Sequence, residues 1–295
     1  MKTPPLYLIL LLTLCLYSCI TYVDTEKDLG LKPKLVLFGY LVPQLDTTVV
    51  HVASSAPLFT TNPRNPAPVP NAIVELSDNN TTWVPLAFDT VNKRYFIPQT
   101  DFPIIEGKTY YIKAAAPEFE TVYSSCTVPY FRETNTIIEM QKIDNDYWDD
   151  WFEYKADIEW DDYPGEENYY MFCGKEFRED IIGFWNDDDW GYTHDTAYFF
   201  YWSILWDGNG RCVYSDFGQD GKKMSTSINT YASNDFGITF FQLDKNCYQF
   251  ETDAARYDAD FHFLMLEPVQ LYSNIKNGYG VFGAFVMRDY AFEFE

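Results

Sequence analysis

The chain opens on an apolar run from Leu6 to Leu16, and beyond a polar gap its hydrophobic positions settle into short alternating stretches. The first run is shorter than the ~20 residues of a spanning helix and fits the apolar core of a signal peptide, so it predicts removal rather than folding. Ile20 to Pro33 is polar and lacks periodicity, as expected of a tether. Leu35 to Val42 and Thr47 to Val52 are β-branched and aromatic runs separated by Pro43-Gln44-Leu45-Asp46, which predicts a hairpin. Pro57 to Asn71 holds five prolines, which cannot supply ladder N–H groups, and predicts an exposed loop.

Further strands are predicted at Ala72–Leu76, Trp83–Leu86, Arg94–Ile97, Thr109–Ala114 and Thr121–Ser124, with turns at Asp78-Asn79-Asn80 and Glu106-Gly107-Lys108. Val128-Pro129 marks a boundary. Beyond it, Tyr154, Ala156, Ile158 and Trp160 recur with period two, the signature of a strand with one buried face. Strands are also expected at Asn168–Cys173, Thr196–Leu205, Ile238–Phe241 and Asp260–Met265, and a helix around Asp244–Tyr257. Asn277-Gly278 predicts a type I′ turn joining Glu267–Tyr272 to Val281–Val286. The expected fold is all-β: an N-terminal immunoglobulin-like or transthyretin-like sandwich over 34–128, then a second β-rich domain over 129–295.

Composition agrees with that class, because 24 Tyr, 24 Phe and 8 Trp favour pleated, half-buried surfaces. The formal charge of −23 argues against a nucleic-acid partner and against lying flat on anionic lipid. Ser18-Cys19, with Leu16 three positions before the cysteine, reads as a lipoprotein processing site. Cys15 follows the bulky Leu14 and does not. The expectation is therefore a signal peptide over 1–18, a lipidated Cys19 and a tether over 19–33, the acyl chains holding the protein on a membrane. Ile20 stands where an inner-membrane retention signal has Asp, which points to the outer membrane, on either face. Cys126, Cys173, Cys212 and Cys247 remain for three alternative disulfide pairings or for four free thiols.

Gly278-Tyr279-Gly280-Val281-Phe282-Gly283 spells a dinucleotide fingerprint, but no helix pattern or ribose-binding acid follows it. Asp187-Asp188-Asp189 could offer carboxylate oxygens to calcium without matching the EF-hand spacing. Tyr147, Trp148, Trp151 and Phe152, with Trp185 and Trp190, are candidates for a ligand- or partner-binding surface, the interspersed aspartates forming its rim. No GxSxG elbow or HExxH helix occurs, and Asp195 points away from its neighbour His194 on a strand, so neither catalysis nor a cofactor is expected.

Leu35 to Tyr40 after the tether, Pro70-Asn71-Ala72-x-Val74, Gly107-Lys108-Thr109-Tyr110 and above all the stretch from Glu267-Pro268-Val269 to Gly283 resemble the Bacteroidota lipoproteins catalogued as domain of unknown function 4249. The resemblance implies an accessory outer-membrane lipoprotein that binds a ligand or partner and serves a TonB-dependent barrel. A structural or adhesive surface protein is the alternative. It also brings in a modification: Asp46-Thr47-Thr48, Asp89-Thr90-Val91 and Asp195-Thr196-Ala197 are similar to the O-glycosylation acceptor of that phylum, which marks Thr47, Thr90 and Thr196.

Overall fold

Period-two alternation gives each strand two unlike faces, and a strand apolar on both must be covered on both. The computed structural model describes residues 32–55, 67–143, 152–185, 192–207, 210–232, 236–260 and 271–291. Before the Val128-Pro129 boundary lie β1 (Leu35–Leu41), β2 (Thr47–Ser54), β3 (Ile73–Ser77), β4 (Val84–Pro85), β5 (Ala87–Asp89), β6 (Arg94–Pro98), β7 (Thr109–Ala115) and β8 (Val122–Thr127). After it come β9 (Ile137–Ile143), β10 (Phe152–Asp161), β11 (Tyr169–Trp185), β12 (Tyr192–Ile204), β13 (Trp206–Asp207), β14 (Gly210–Arg211), β15 (Val213–Ser215), β16 (Lys223–Ala232) and β17 (Phe236–Leu243). The helix α1 (Lys245–Asp260) and β18 (Tyr279–Ala291) follow.

A nine-stranded sheet runs β12-β11-β17-β18-β1-β2-β6-β5, with β15 also paired to β11. Strands from both sides of Val128 share it, because β18 lies parallel to β1 from Val36 opposite Tyr279 to Leu41 opposite Ala284. Two smaller sheets stack on it: β4-β3-β7-β8 and β14-β13-β16-β10-β9. Alternation assigns the faces. Leu35, Leu37, Leu41, Phe282, Ala284 and Val286 turn to the four-stranded sheet and bury Val74, Leu76, Ile112 and Val122 against themselves. Phe236, Ile238 and Phe240 point the same way and meet Tyr154, Ile158 and Trp160 of the five-stranded sheet. The residues between them, among them Phe241, Leu243, Phe285 and Met287, face the other way and pack with Cys247 of α1. The molecule is thus an all-β sandwich in which one large sheet carries two small ones side by side on one face and a helix on the other.

Most expected strands stand within a few residues of the predicted bounds. The helix begins where expected, with Asp244 accepting the Cys247 N–H at 2.8 Å as its N-cap. Asn80 at φ 59° and Gly107 at φ 75° mark the two predicted turns. Strands β9 and β16 went unpredicted, because Lys142 on the inward face of β9 and the Ser, Thr and Asn residues of β16 blur the alternation.

The predicted turn at Asn277-Gly278 is corrected. A type I′ turn requires positive φ at both central residues, and here only Asn277 has it, at φ 65°. Residues 271–275 form no strand, and 261–270 lie outside the described residues. The glycines serve close approach instead. A Cβ on Gly278 would meet the Leu35 carbonyl oxygen at 2.5 Å, and one on Gly280, at φ 109°, would collide with the Leu37 carbonyl. The glycine pattern lets β18 slide in beside β1. Of the strand expected at Asp260–Met265, Asp260 closes α1 and the rest lies outside the described residues.

All four cysteines are buried thiols, not disulfides. Burial drives the thiols of Cys126 and Cys247 well above their ordinary range and lifts Cys173 to about 12, so they are poor nucleophiles.

Candidate functional site

The segment from Pro129 to Thr136 joins the two small sheets without a strand of its own, so its backbone groups need other partners. Gln242 supplies two. It stands on β17 facing the seam, its Oε1 accepting the Arg132 N–H at 2.7 Å and its Nε2 donating to the Arg132 carbonyl at 2.6 Å. The Arg132 guanidinium donates to both Glu166 oxygens, at 2.7 and 3.2 Å, and lies against the rings of Tyr130 and Tyr163. Arg288 grips Glu133 with two further bonds at 2.8 and 2.6 Å. The linker is tied to the large sheet through backbone and side chain together.

Beside this clasp opens a cleft of about 580 Å³, bounded by residues 125–130, by the turn 166–169 and by the junction of β17 with α1. Its walls are mixed: Ser125, Thr127, Asn168, Gln242 and Asn246 contribute hydroxyls and amides, Glu166, Glu167, Asp244 and Lys245 contribute charge, and Val128, Pro129, Tyr130 and Leu243 contribute apolar surface. Lys245 lies 3.1 Å from Glu167, which also accepts the Tyr169 hydroxyl at 2.7 Å. Those two donors hold the Glu167 carboxyl below its usual range, and burial chiefly raises Tyr169. The pair is exposed and adds little to stability.

Asp244 is the unusual group at the cleft floor. Burial pushes its pKa up to about 6, against the pull of the Cys247 N–H and the Asn246 amide, which donates at 3.1 Å. Asn246 in turn accepts the Tyr272 hydroxyl at 2.9 Å. The carboxyl thus links the helix start, the cleft wall and the segment before β18.

A second group of acids braces the cleft from behind. Carboxylate oxygens of Asp162, Asp216 and Asp220 lie within 4.8 Å of one another, an oxygen-only donor set of the kind that hard cations accept. Each already receives protein donors. Asp162 takes the Tyr170 hydroxyl at 2.6 Å and the Gly221 N–H at 2.7 Å, Asp216 takes the Asn168 N–H at 3.0 Å, and Asp220 takes the Gly165 N–H at 2.7 Å. Their evident work is to lock the turn 163–168, which forms one wall of the cleft, onto the loop after β15.

The residues anticipated from sequence fall elsewhere. Cys19, Tyr147, Trp148, Trp151, Asp187, Asp188, Asp189 and Trp190 lie outside the described residues. Trp185 ends β11 and Thr196 stands opposite Ile181 in the β11–β12 pair, as backbone positions. Phe152 is half-buried beneath the Lys142 ammonium, 3.6 Å from the ring centroid. Thr47 starts β2 half-buried beside Pro98, whereas Thr90 sits exposed in a turn whose Asp89 carboxylate accepts the N–H groups of Val91 and Asn92 at 3.0 and 3.1 Å. Sequence reading missed the clasp and the acid triad. One signal was present in each case: Gln242 interrupts an apolar strand, and Asp216 and Asp220 are each followed within two residues by a glycine.

The layers and cleft define a class, an all-β sandwich with a single helix backing its large sheet among the described residues. Residues 21–290 match the family described as Domain of unknown function (DUF4249), and the chain belongs to that family. No curated protein matches it.

Proposed function

We propose that the protein is a lipid-anchored outer-membrane lipoprotein whose cleft binds a ligand or partner on behalf of a TonB-dependent barrel. The observation that carries the binding role is the cleft at the seam, whose walls, part polar and part apolar, come from three separate parts of the chain held in register by Gln242 and the acid triad. Rigid support of this kind is what a preformed binding site needs. Anchoring rests on Ser18-Cys19 behind the apolar run, and the transport role on what family resemblance implies.

The test is capture from mild detergent followed by mass spectrometry, with wild type beside Tyr130→Ala and Lys245→Glu variants that alter the cleft rim without touching a core. Wild type should bring down a barrel, and the variants should lose it at unchanged melting temperature. A folded protein that captures no barrel would turn the reading toward a structural or adhesive surface role. Cys19→Ala should separately release the protein from membranes.

A further inference from the structure

Strand β8 is the last of its sheet, and the open side of its C-terminal half forms a wall of the cleft. Val128 turns its N–H and C=O to the β7 side, where they bond Lys108 and Gly107, so by alternation Tyr123, Ser125 and Thr127 turn theirs to the open side. The chain itself already pairs with part of that edge. Tyr123 exchanges both backbone bonds with Lys276, at 3.4 and 2.9 Å, in an antiparallel bridge, and the Ser125 carbonyl accepts the side-chain amides of Asn246 and Asn274 at 3.3 and 3.4 Å. There the pairing stops. Among the described residues the Ser125 N–H and both backbone groups of Thr127 meet no partner, and both residues are exposed along the cleft. Strand β8 brings neither charge nor proline to guard this stretch, which runs out at Pro129.

Charge selects the occupant. Of the three carboxylates lining the cleft, Glu166 is paired with Arg132 and Glu167 with Lys245, whereas Asp244 has only neutral donors, the Cys247 N–H and the Asn246 amide. No cation offsets its burial. The Asn246 amide that donates to Asp244 is the one that reaches the Ser125 carbonyl, so the uncompensated carboxylate lies one side chain away from the open edge. Apolar Val128, Pro129, Tyr130 and Leu243 stand beside it. Resting on the reading of the cleft as a binding site, we infer that its occupant is an extended peptide segment, added antiparallel to β8 at Ser125–Thr127 with a basic side chain set against Asp244. Backbone pairing supplies the grip, and Asp244 supplies the selection.

The probes are capped fluorescent heptapeptides in which valine alternates with lysine, threonine or glutamate, offered to the detergent-solubilised full chain and read by anisotropy. The lysine peptide should bind about tenfold tighter than the glutamate peptide, and Asp244→Asn should bring the lysine and threonine peptides to equal affinity. Alternate N–H groups of a strand point to opposite edges, so N-methylation of the valines and N-methylation of the lysines block different edges. One pattern should abolish binding and the other should spare it. Amide hydrogen exchange at Ser125 and Thr127 should slow several-fold on binding. Equal effects of the two methylation patterns, unprotected amides at Ser125 and Thr127, or a lysine preference that survives in Asp244→Asn would overturn the inference. Barrel capture is scored separately: capture without peptide binding sinks the inference and leaves the lipoprotein reading standing, and peptide binding without capture does the reverse. Where both occur, a peptide that displaces the barrel assigns the segment to the barrel, and one that travels with it assigns the segment to cargo.

Discussion

The two cores on the same face of the large sheet are built from different side chains. The one beneath the four-stranded sheet is largely aliphatic, with Leu35, Leu37, Leu41, Val50, Val52, Val74 and Leu76 at its centre. The one beneath the five-stranded sheet is aromatic, Trp160 lying 5.0 Å from Phe172 and 5.9 Å from Tyr170, with Phe172 and Phe240 stacked at 4.9 Å. The difference lies in what each core ties itself to. Tyrosines of the aliphatic core spend their hydroxyls on loop carbonyls, Tyr110 on Pro103 at 2.9 Å and Tyr95 on Val69 at 2.7 Å. Tyr170 of the aromatic core donates instead to Asp162, a member of the acid triad, and through it the core reaches the cleft wall. The aliphatic core meets the cleft only where Cys126 and Val128 reach its wall. The other also holds up the candidate site.

The largest effect should come from hollowing each core. Trp160→Ala should cost about 3 to 5 kcal/mol and Leu37→Ala about 2 to 5 kcal/mol, read by chemical denaturation. Sharpening the comparison requires a second readout: Trp160→Ala should also lose capture of a cleft-bound partner below its unfolding transition, whereas Leu37→Ala should retain it while folded. Equal loss of capture would erase the distinction between the cores.

Asp244 probes the junction of the helix with the aliphatic core, its N–H donating to the Ala284 carbonyl at 2.8 Å. Its folded pKa of about 6 lies above the ordinary carboxylate value, so the folded state holds the proton more tightly than the unfolded chain. Below about pH 3 both states are protonated and the group contributes nothing. As pH rises from about 3 to 6 the unfolded chain ionises first, stability falls, and the loss levels off above 6 at about 3 kcal/mol. Asp244→Asn keeps an N-cap acceptor and removes the titration. It should raise the melting temperature at pH 7.5 and leave it unchanged near pH 3. A variant less stable than wild type at both values would show that the carboxylate itself is needed.

The smallest contrast compares hydroxyls. Tyr110 and Tyr170 each also accept a backbone N–H, from Ile105 at 2.8 Å and Tyr163 at 3.4 Å, so their donor bonds distinguish them. Tyr110→Phe should cost about 1 kcal/mol, and Tyr170→Phe, which deprives a buried aspartate of a donor, about 1.5 to 3 kcal/mol. Matching losses would mean that the acid triad does not depend on the core behind it.

The chain by itself settled what local physics settles. Period-two runs marked most strands and the buried face of β10, prolines marked the loop before β3, and Asp244 marked the helix start. The family was legible in the stretch that ends at Gly283. Tertiary structure alone decided why that stretch is rich in glycine. Nothing local announces that β18 will lie parallel to β1, because a backbone ladder reads the same for any side chains; only once the strands are side by side do the carbonyls of Leu35 and Leu37 exclude a Cβ at Gly278 and Gly280. The cleft is non-local for the same reason. Gln242 is a lone polar residue in an apolar strand until the linker crosses it, and Asp162, Asp216 and Asp220 are ordinary surface acids in sequence until two turns fold against each other and need their backbone N–H groups satisfied.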